Sequence, residues 1–215
     1  MTRRCVCAGI LWFLWSGCAS DGALGQAKLT PDCAADDLVC VFAGVDDPLA
    51  AGSTLDLNLD LEVLGSAASS IELRAVDPTV LEVEGRSVTA MAEGVSAVLI
   101  RSDDTVLDFV HLWVADADRL GLRQIGAAQA EGGELGSRFQ LLVGDELFVA
   151  VEAYAGAQRL LGSAETTWVT DTPFVTLLDE GRPSYRRIVA RAPGNATLSV
   201  SAMGFERTLT VEVLP

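Results

Sequence analysis

Any chemistry in this chain must come from a few residue types. Histidine occurs once, at His111, cysteine five times, and thirty acids face fifteen bases. Zinc sites built on two or three histidines are therefore ruled out. His111 stands in Phe109-Val110-His111-Leu112-Trp113, where alternation puts Phe109, His111 and Trp113 on one face of a strand. We expect a half-buried strand histidine beside aromatic neighbours rather than a general base or a ligand. Gly94-Val95-Ser96-Ala97-Val98 lacks the closing glycine of a nucleophile elbow, and neither a phosphate loop nor a dinucleotide fingerprint occurs. Paired carboxylates can hydrolyse glycosides. Most acids here, however, fall in turns such as Asp46-Asp47 and Asp103-Asp104 or at outward strand positions, where solvation explains them. The sharper alternative is calcium held by Asp116 and Asp118 with help from Asp46-Asp47 or a hairpin-tip acid, although hard cations want several such oxygens and no EF-hand loop supplies them. The expectation is no catalytic residue, no metal ligand and no cofactor.

The cysteines divide by position. Met1-Thr2-Arg3-Arg4 is a short positive start, and an apolar run follows from Cys5 to Trp15. About eleven apolar residues fall short of the roughly twenty that cross a bilayer as a helix, so residues 1–17 read as a secretory signal. Cys5 and Cys7 would leave with it. Leu14-Trp15-Ser16-Gly17-Cys18 resembles the lipobox of bacterial lipoproteins. That resemblance implies cleavage before Cys18 and a lipid on its sulfur, with Trp15 departing from the usual aliphatic residue. Ala19 after it, where some species use aspartate for inner-membrane retention, points to the outer membrane if the cell is Gram-negative. The other readings are ordinary cleavage near Ala19-Ser20 or Ala23, giving a secreted soluble protein, and an uncleaved anchor. Cys33 and Cys40 remain as a pair in an oxidising compartment, and we expect a disulfide there. Its loop of about eight residues is worth about 2.5 kcal/mol by loop closure, and two thiols without a nearby histidine make a poor zinc shell.

The formal charge is −15, and the loss of Arg3 and Arg4 with the signal would make it more negative. Such a body repels phosphates and has no basic stripe, which excludes nucleic acid as a partner.

Periodicity supplies the framework. Residues 18–37 are small and polar, with Gly22, Gly25 and Pro31, and read as a flexible tether. Leu55-Asp56-Leu57-Asn58-Leu59-Asp60-Leu61-Glu62-Val63 alternates strictly and must be a strand with one buried face. Leu147 to Tyr154 alternates in the same way, with Phe148 and Tyr154 on its polar face. The flanks repeat as well. Gly52 to Leu55 matches Gly144 to Leu147, Val88 to Leu99 matches Ile188 to Ser199, and each copy closes with an alternating strand, Phe109 to Val114 and Thr208 to Val213. The chain is a tandem repeat with a period of about a hundred residues. Short strands between Gly, Pro and Asp turns predict an all-β fold of two tandem sandwiches, over residues 38–116 and 117–215.

Thr167-Trp168-Val169-Thr170-Asp171 and Val88-Thr89-Ala90-Met91-Ala92-Glu93-Gly94 resemble the bacterial immunoglobulin-like domains of group 2, found in intimin- and invasin-type surface proteins. The first copy carries Leu73 where the family's tryptophan would stand. The resemblance implies immunoglobulin-like sandwiches used for adhesion or as spacers. The expected function is thus a lipid-anchored cell-envelope protein acting as a non-catalytic binding, adhesion or spacer module. Its partners would be the membrane, through the lipid, and an envelope protein or a surface polysaccharide. The alternatives are a carbohydrate-binding or carbohydrate-active envelope protein and a secreted soluble one.

Overall fold

A computed structural model describes residues 25–33, 38–63, 70–125 and 133–215. The expected signal over residues 1–17, the lipobox-like residues Leu14 to Cys18 and the lipidation expected at Cys18 lie outside the described residues. The first half comprises β1 (Gly25–Pro31), α1 (Leu38–Ala43), β2 (Leu49–Ala50), β3 (Thr54–Val63) and β4 (Glu72–Ala75). It continues with β5 (Leu81–Glu84), β6 (Ser87–Ala90), β7 (Gly94–Ser102) and β8 (Thr105–Ala115). The second half comprises β9 (Arg119–Ile125), β10 (Arg138–Leu142), β11 (Glu146–Ala155), β12 (Gln158–Leu160) and β13 (Thr167–Thr170). Last come β14 (Val175–Asp179), β15 (Tyr185–Ala190), β16 (Gly194–Ala202) and β17 (Phe205–Leu214).

These strands make two β-sandwiches of the same topology. In the first, the sheet β1-β3-β6-β5 packs on β2-β8-β7-β4. In the second, β9 and β12 flank β11 in a sheet continued by β15 and β14, which packs on β10-β17-β16-β13. Alternation explains the cores. Leu55 and Leu57 of β3 are buried while Asp56, Asn58 and Asp60 face water. Burying each such leucine is worth about 1.5–3 kcal/mol. In both copies a short strand runs parallel to the last one, β2 beside β8 and β10 beside β17. Leu73 and Trp168 stand opposite Ile100 and Val200 at matching positions, as the repeat predicts.

One expectation is corrected. Residues 18–37 are not all tether, because β1 pairs with β3 from Gly25 opposite Val63 to Pro31 opposite Leu57. Leu29 enters the core, and Pro31 is tolerated because β1 is an edge strand. The first sandwich therefore begins at Gly25 rather than at residue 38. Leu38–Ala43 forms one short helix in an otherwise all-β chain, with Ala43 packed on the core.

The sandwiches are joined by backbone as well as side chains. Leu161, just after β12, is buried in the core of the first sandwich. Its N–H donates to the Pro48 carbonyl (2.7 Å), and its carbonyl accepts from Ala50 N–H (2.9 Å). Thr54 and Ser163 exchange two further bonds of 2.8 Å.

Candidate functional site

The most unusual surface belongs to β8. Its alternation turns Leu112 and Val114 inward and leaves Phe109, His111 and Trp113 exposed on the outer face. Across the ladder, Leu99, Ala97 and Val95 of β7 stand opposite these three residues. Arg74 of β4 follows beyond Leu99, and Val76, just past β4, donates its N–H to the Ala97 carbonyl. Trp113 is 57% exposed, Phe109 53%, Val76 59% and Val95 44%, so the apolar atoms face water rather than a neighbouring element. The Phe109 and His111 rings meet edge to face, 5.3 Å between centroids. The half-buried histidine expected at position 111 is corrected: His111 is exposed, because nothing among the described residues packs over this side of the sheet.

The second copy supplies an internal control. Its register is the same relative to Gly94 and Gly194, so Phe109, His111 and Trp113 correspond to Thr208, Thr210 and Glu212. Val95, Ala97 and Leu99 correspond to Asn195, Thr197 and Ser199. One fold thus carries an aromatic and aliphatic face in one copy and a hydroxylated, charged face in the other. The sheet does not require the aromatics. Exposed apolar patches of several hundred Å² on a soluble domain mark interaction surfaces.

Other candidate positions are occupied structurally. Cys33 and Cys40 are bonded. Phe148 packs on Tyr185 (5.6 Å) and with Ile125 and Ala150, while Tyr154 lies under the Arg119 guanidinium (4.1 Å). Neither forms an open platform. Asp118 accepts from Gly156 N–H (2.6 Å), capping the hairpin between β11 and β12, and Asp47 lies 4.0 Å from Arg159. Of the four acids named for calcium, Asp118 and Asp47 are thus directed to other partners. No group of three or more potential metal ligands occurs among the described residues.

A buried ionic cluster escaped the sequence, in which Glu152 reads as a solvated outward acid. It is nearly buried, and its carboxylate accepts from Arg123 (2.7 Å), Arg159 (3.3 Å) and the Tyr154 hydroxyl (2.9 Å). Burial first, and then the Glu152 charge, push the Tyr154 hydroxyl well above its ordinary range. Glu134 links Arg119 and Arg207. Burial would raise its carboxyl, but the hydrogen bonds from Arg207 and Arg119 outweigh this and hold it below the usual value. Beside this cluster an open cleft of about 810 Å³ separates the sandwiches, lined among others by Asp32, Thr54, Ser163, Arg182 and Ser184. Arg182 there donates to the Asp32 carbonyl (3.0 Å), and the Ser163 hydroxyl to Ser184 (2.9 Å).

No protein-family model and no curated protein matches the chain. Among solved structures it is similar to domains 4 and 5 of the S-layer protein SbsC, at 15% identity and a TM-score of 0.34 over 89% of this chain and 99% of that one. Invasin, a bacterial integrin-binding protein, is 11% identical, with a TM-score of 0.34 over 88% of this chain and 40% of that one. The Yersinia pseudotuberculosis adhesin InvE is 13% identical, with a TM-score of 0.34 over 91% of this chain and 61% of that one. Likenesses this loose carry no argument about function; the sandwich architecture rests on the strand pairing described above.

Proposed function

We propose that this chain is a cell-envelope lipoprotein, attached through Cys18, whose joined sandwiches form a non-catalytic binding module. The observation that carries the binding role is the exposed Phe109, His111 and Trp113 face, which the second copy replaces with Thr208, Thr210 and Glu212. The lipobox residues Leu14 to Cys18 support the attachment, with the outer membrane as the favoured site. A polysaccharide is the weaker partner. Rings stacked on sugars are usually accompanied by polar groups that fix orientation. Here the strand beside the aromatics offers only Val95, Ala97 and Leu99, and Phe109 meets His111 edge-on rather than in one plane.

With a lipid on Cys18, the seven residues to Gly25 reach about 25 Å when extended. Gly25 pairs with Val63, at the end of β3 opposite Thr54, which bonds to the second sandwich. The first sandwich then stands next to the membrane, with the second projecting beyond it. Two measurements test this reading. Mass spectrometry of the mature amino terminus is expected to find acylated Cys18, and Cys18→Ala to release the protein from membranes. Ala97→Cys, at the centre of the apolar face, is expected to resist a polyethylene-glycol maleimide in isolated envelopes, whereas Thr197→Cys at the matching place in the second copy reacts. Equal reactivity would remove the binding role.

A further inference from the structure

We infer that the occupant of the β8 face is a second copy of this chain, related by a twofold axis that runs along the strands. This rests on the binding role proposed above and names its partner. Three observations carry it. The first is size. The exposed parts of Val76, Val95, Phe109 and Trp113 with their neighbours amount to several hundred Å². A self-complementary pair would thereby approach the lower bound of about 1,200 Å² for a stable interface. Attachment to one membrane raises the effective concentration, so a modest interface suffices.

The second observation is direction. The chain enters the first sandwich at Gly25, and β3 runs from the second sandwich at Thr54 to that same end at Val63. The strands therefore run along the line joining the junction to the anchored end. An axis parallel to them is the one in-plane choice that leaves both amino termini at the same end, as two anchors in one membrane demand. The third is the pattern of the face under that axis. Each rung of the ladder lies over its own mate with its order reversed, so Arg74 faces Phe109 of the other copy and Ala97 faces Ala97. A guanidinium over an aromatic ring is favourable, and an alanine at the axis lets the sheets approach.

The test places a single new thiol in the full chain, by Ala97→Cys or Thr197→Cys, and treats isolated envelopes with a short bis-maleimide. The second copy is supported by an adduct at twice the mass of the chain from Ala97→Cys, absent from Thr197→Cys. Adding Phe109→Thr and Trp113→Glu, residues that the same sheet position already accepts in the second sandwich, is expected to cut that adduct about tenfold or more. A thermal melt of this variant confirms that it folds. An adduct of another mass overturns the proposal in favour of a different protein. Shielding of the Ala97→Cys thiol from monofunctional maleimide without any adduct overturns it in favour of lipid or glycan. If that thiol is freely labelled, the binding role fails and the dimer with it.

Discussion

Trp113 and Glu212 hold one position in two copies of the same sheet, each one residue before the partner of an equivalent glycine, Gly94 or Gly194. Trp113 stands opposite Val95 and Glu212 opposite Asn195. Glu212 accepts from Gln140 (3.0 Å) and Arg138 (3.4 Å) of β10. On the edge of β8 away from β7, Trp113 has only the two-residue β2 nearby, and it is 57% exposed. The same backbone therefore supports a solvated polar surface and an apolar one. This contrast separates what the fold needs from what it displays.

The junction should behave as part of the first core. Leu161→Ala removes a side chain that is 3% exposed among Leu49, Leu55 and their neighbours. The expected loss is about 2–4 kcal/mol, read from urea denaturation. The signals of the two sandwiches should then separate, since the second loses one of its apolar contacts with the first, leaving the cluster of Ala50, Ala153 and Leu160. A loss below about 1 kcal/mol would show that Leu161 is not held as described.

Gly94 and Gly194 open equivalent strands at φ of +154° and +152°. An added Cβ would lie 3.1 Å from the Val80 side chain at Gly94, but 2.7 Å from the Phe174 ring at Gly194. Gly194→Ala is therefore expected to destabilise more than Gly94→Ala, by about 1 kcal/mol or more in thermal melts. The reverse order would contradict the packing of Phe174.

Acid should weaken the second sandwich through Glu134. Its folded carboxyl is held below the ordinary 4.5 because hydrogen bonds from Arg207 and Arg119 outweigh burial. The unfolded chain thus binds the proton more readily. The stability that Glu134 contributes is present above 4.5 and is lost as the pH falls toward the folded value. Glu134→Gln is expected to be less stable than the parent at about pH 7, with the gap closing as the pH falls below 4.5. Tyr154 acts at the other extreme. Its raised value means that stability is complete below 10 and declines as the pH rises, which Tyr154→Phe should abolish.

Much of the framework is legible because alternation is a local signal. Leu55 to Val63 and Leu147 to Tyr154 are strands β3 and β11, and the repeat aligns Leu73 with Trp168 between the copies. What alternation cannot show is which face another element covers. Phe109 and Leu112 are both apolar on opposite faces of β8, so parity alone does not say which is core. Glu152 lies on the expected outward face of β11, yet β9, β12 and their arginines enclose it. β1 is hidden for another reason: an edge strand can form through the backbone of a strong neighbour with little periodicity of its own.

The central claim is that the β8 face is a working surface rather than a by-product of the fold. The most direct measurement is the rate at which a bulky maleimide labels the Ala97→Cys protein in native envelopes, with the natural face and with Phe109→Thr, His111→Thr and Trp113→Glu. We expect slow labelling with the natural face and fast labelling after the exchange, with melting temperatures that differ little. Equal rates in the two proteins would contradict the claim.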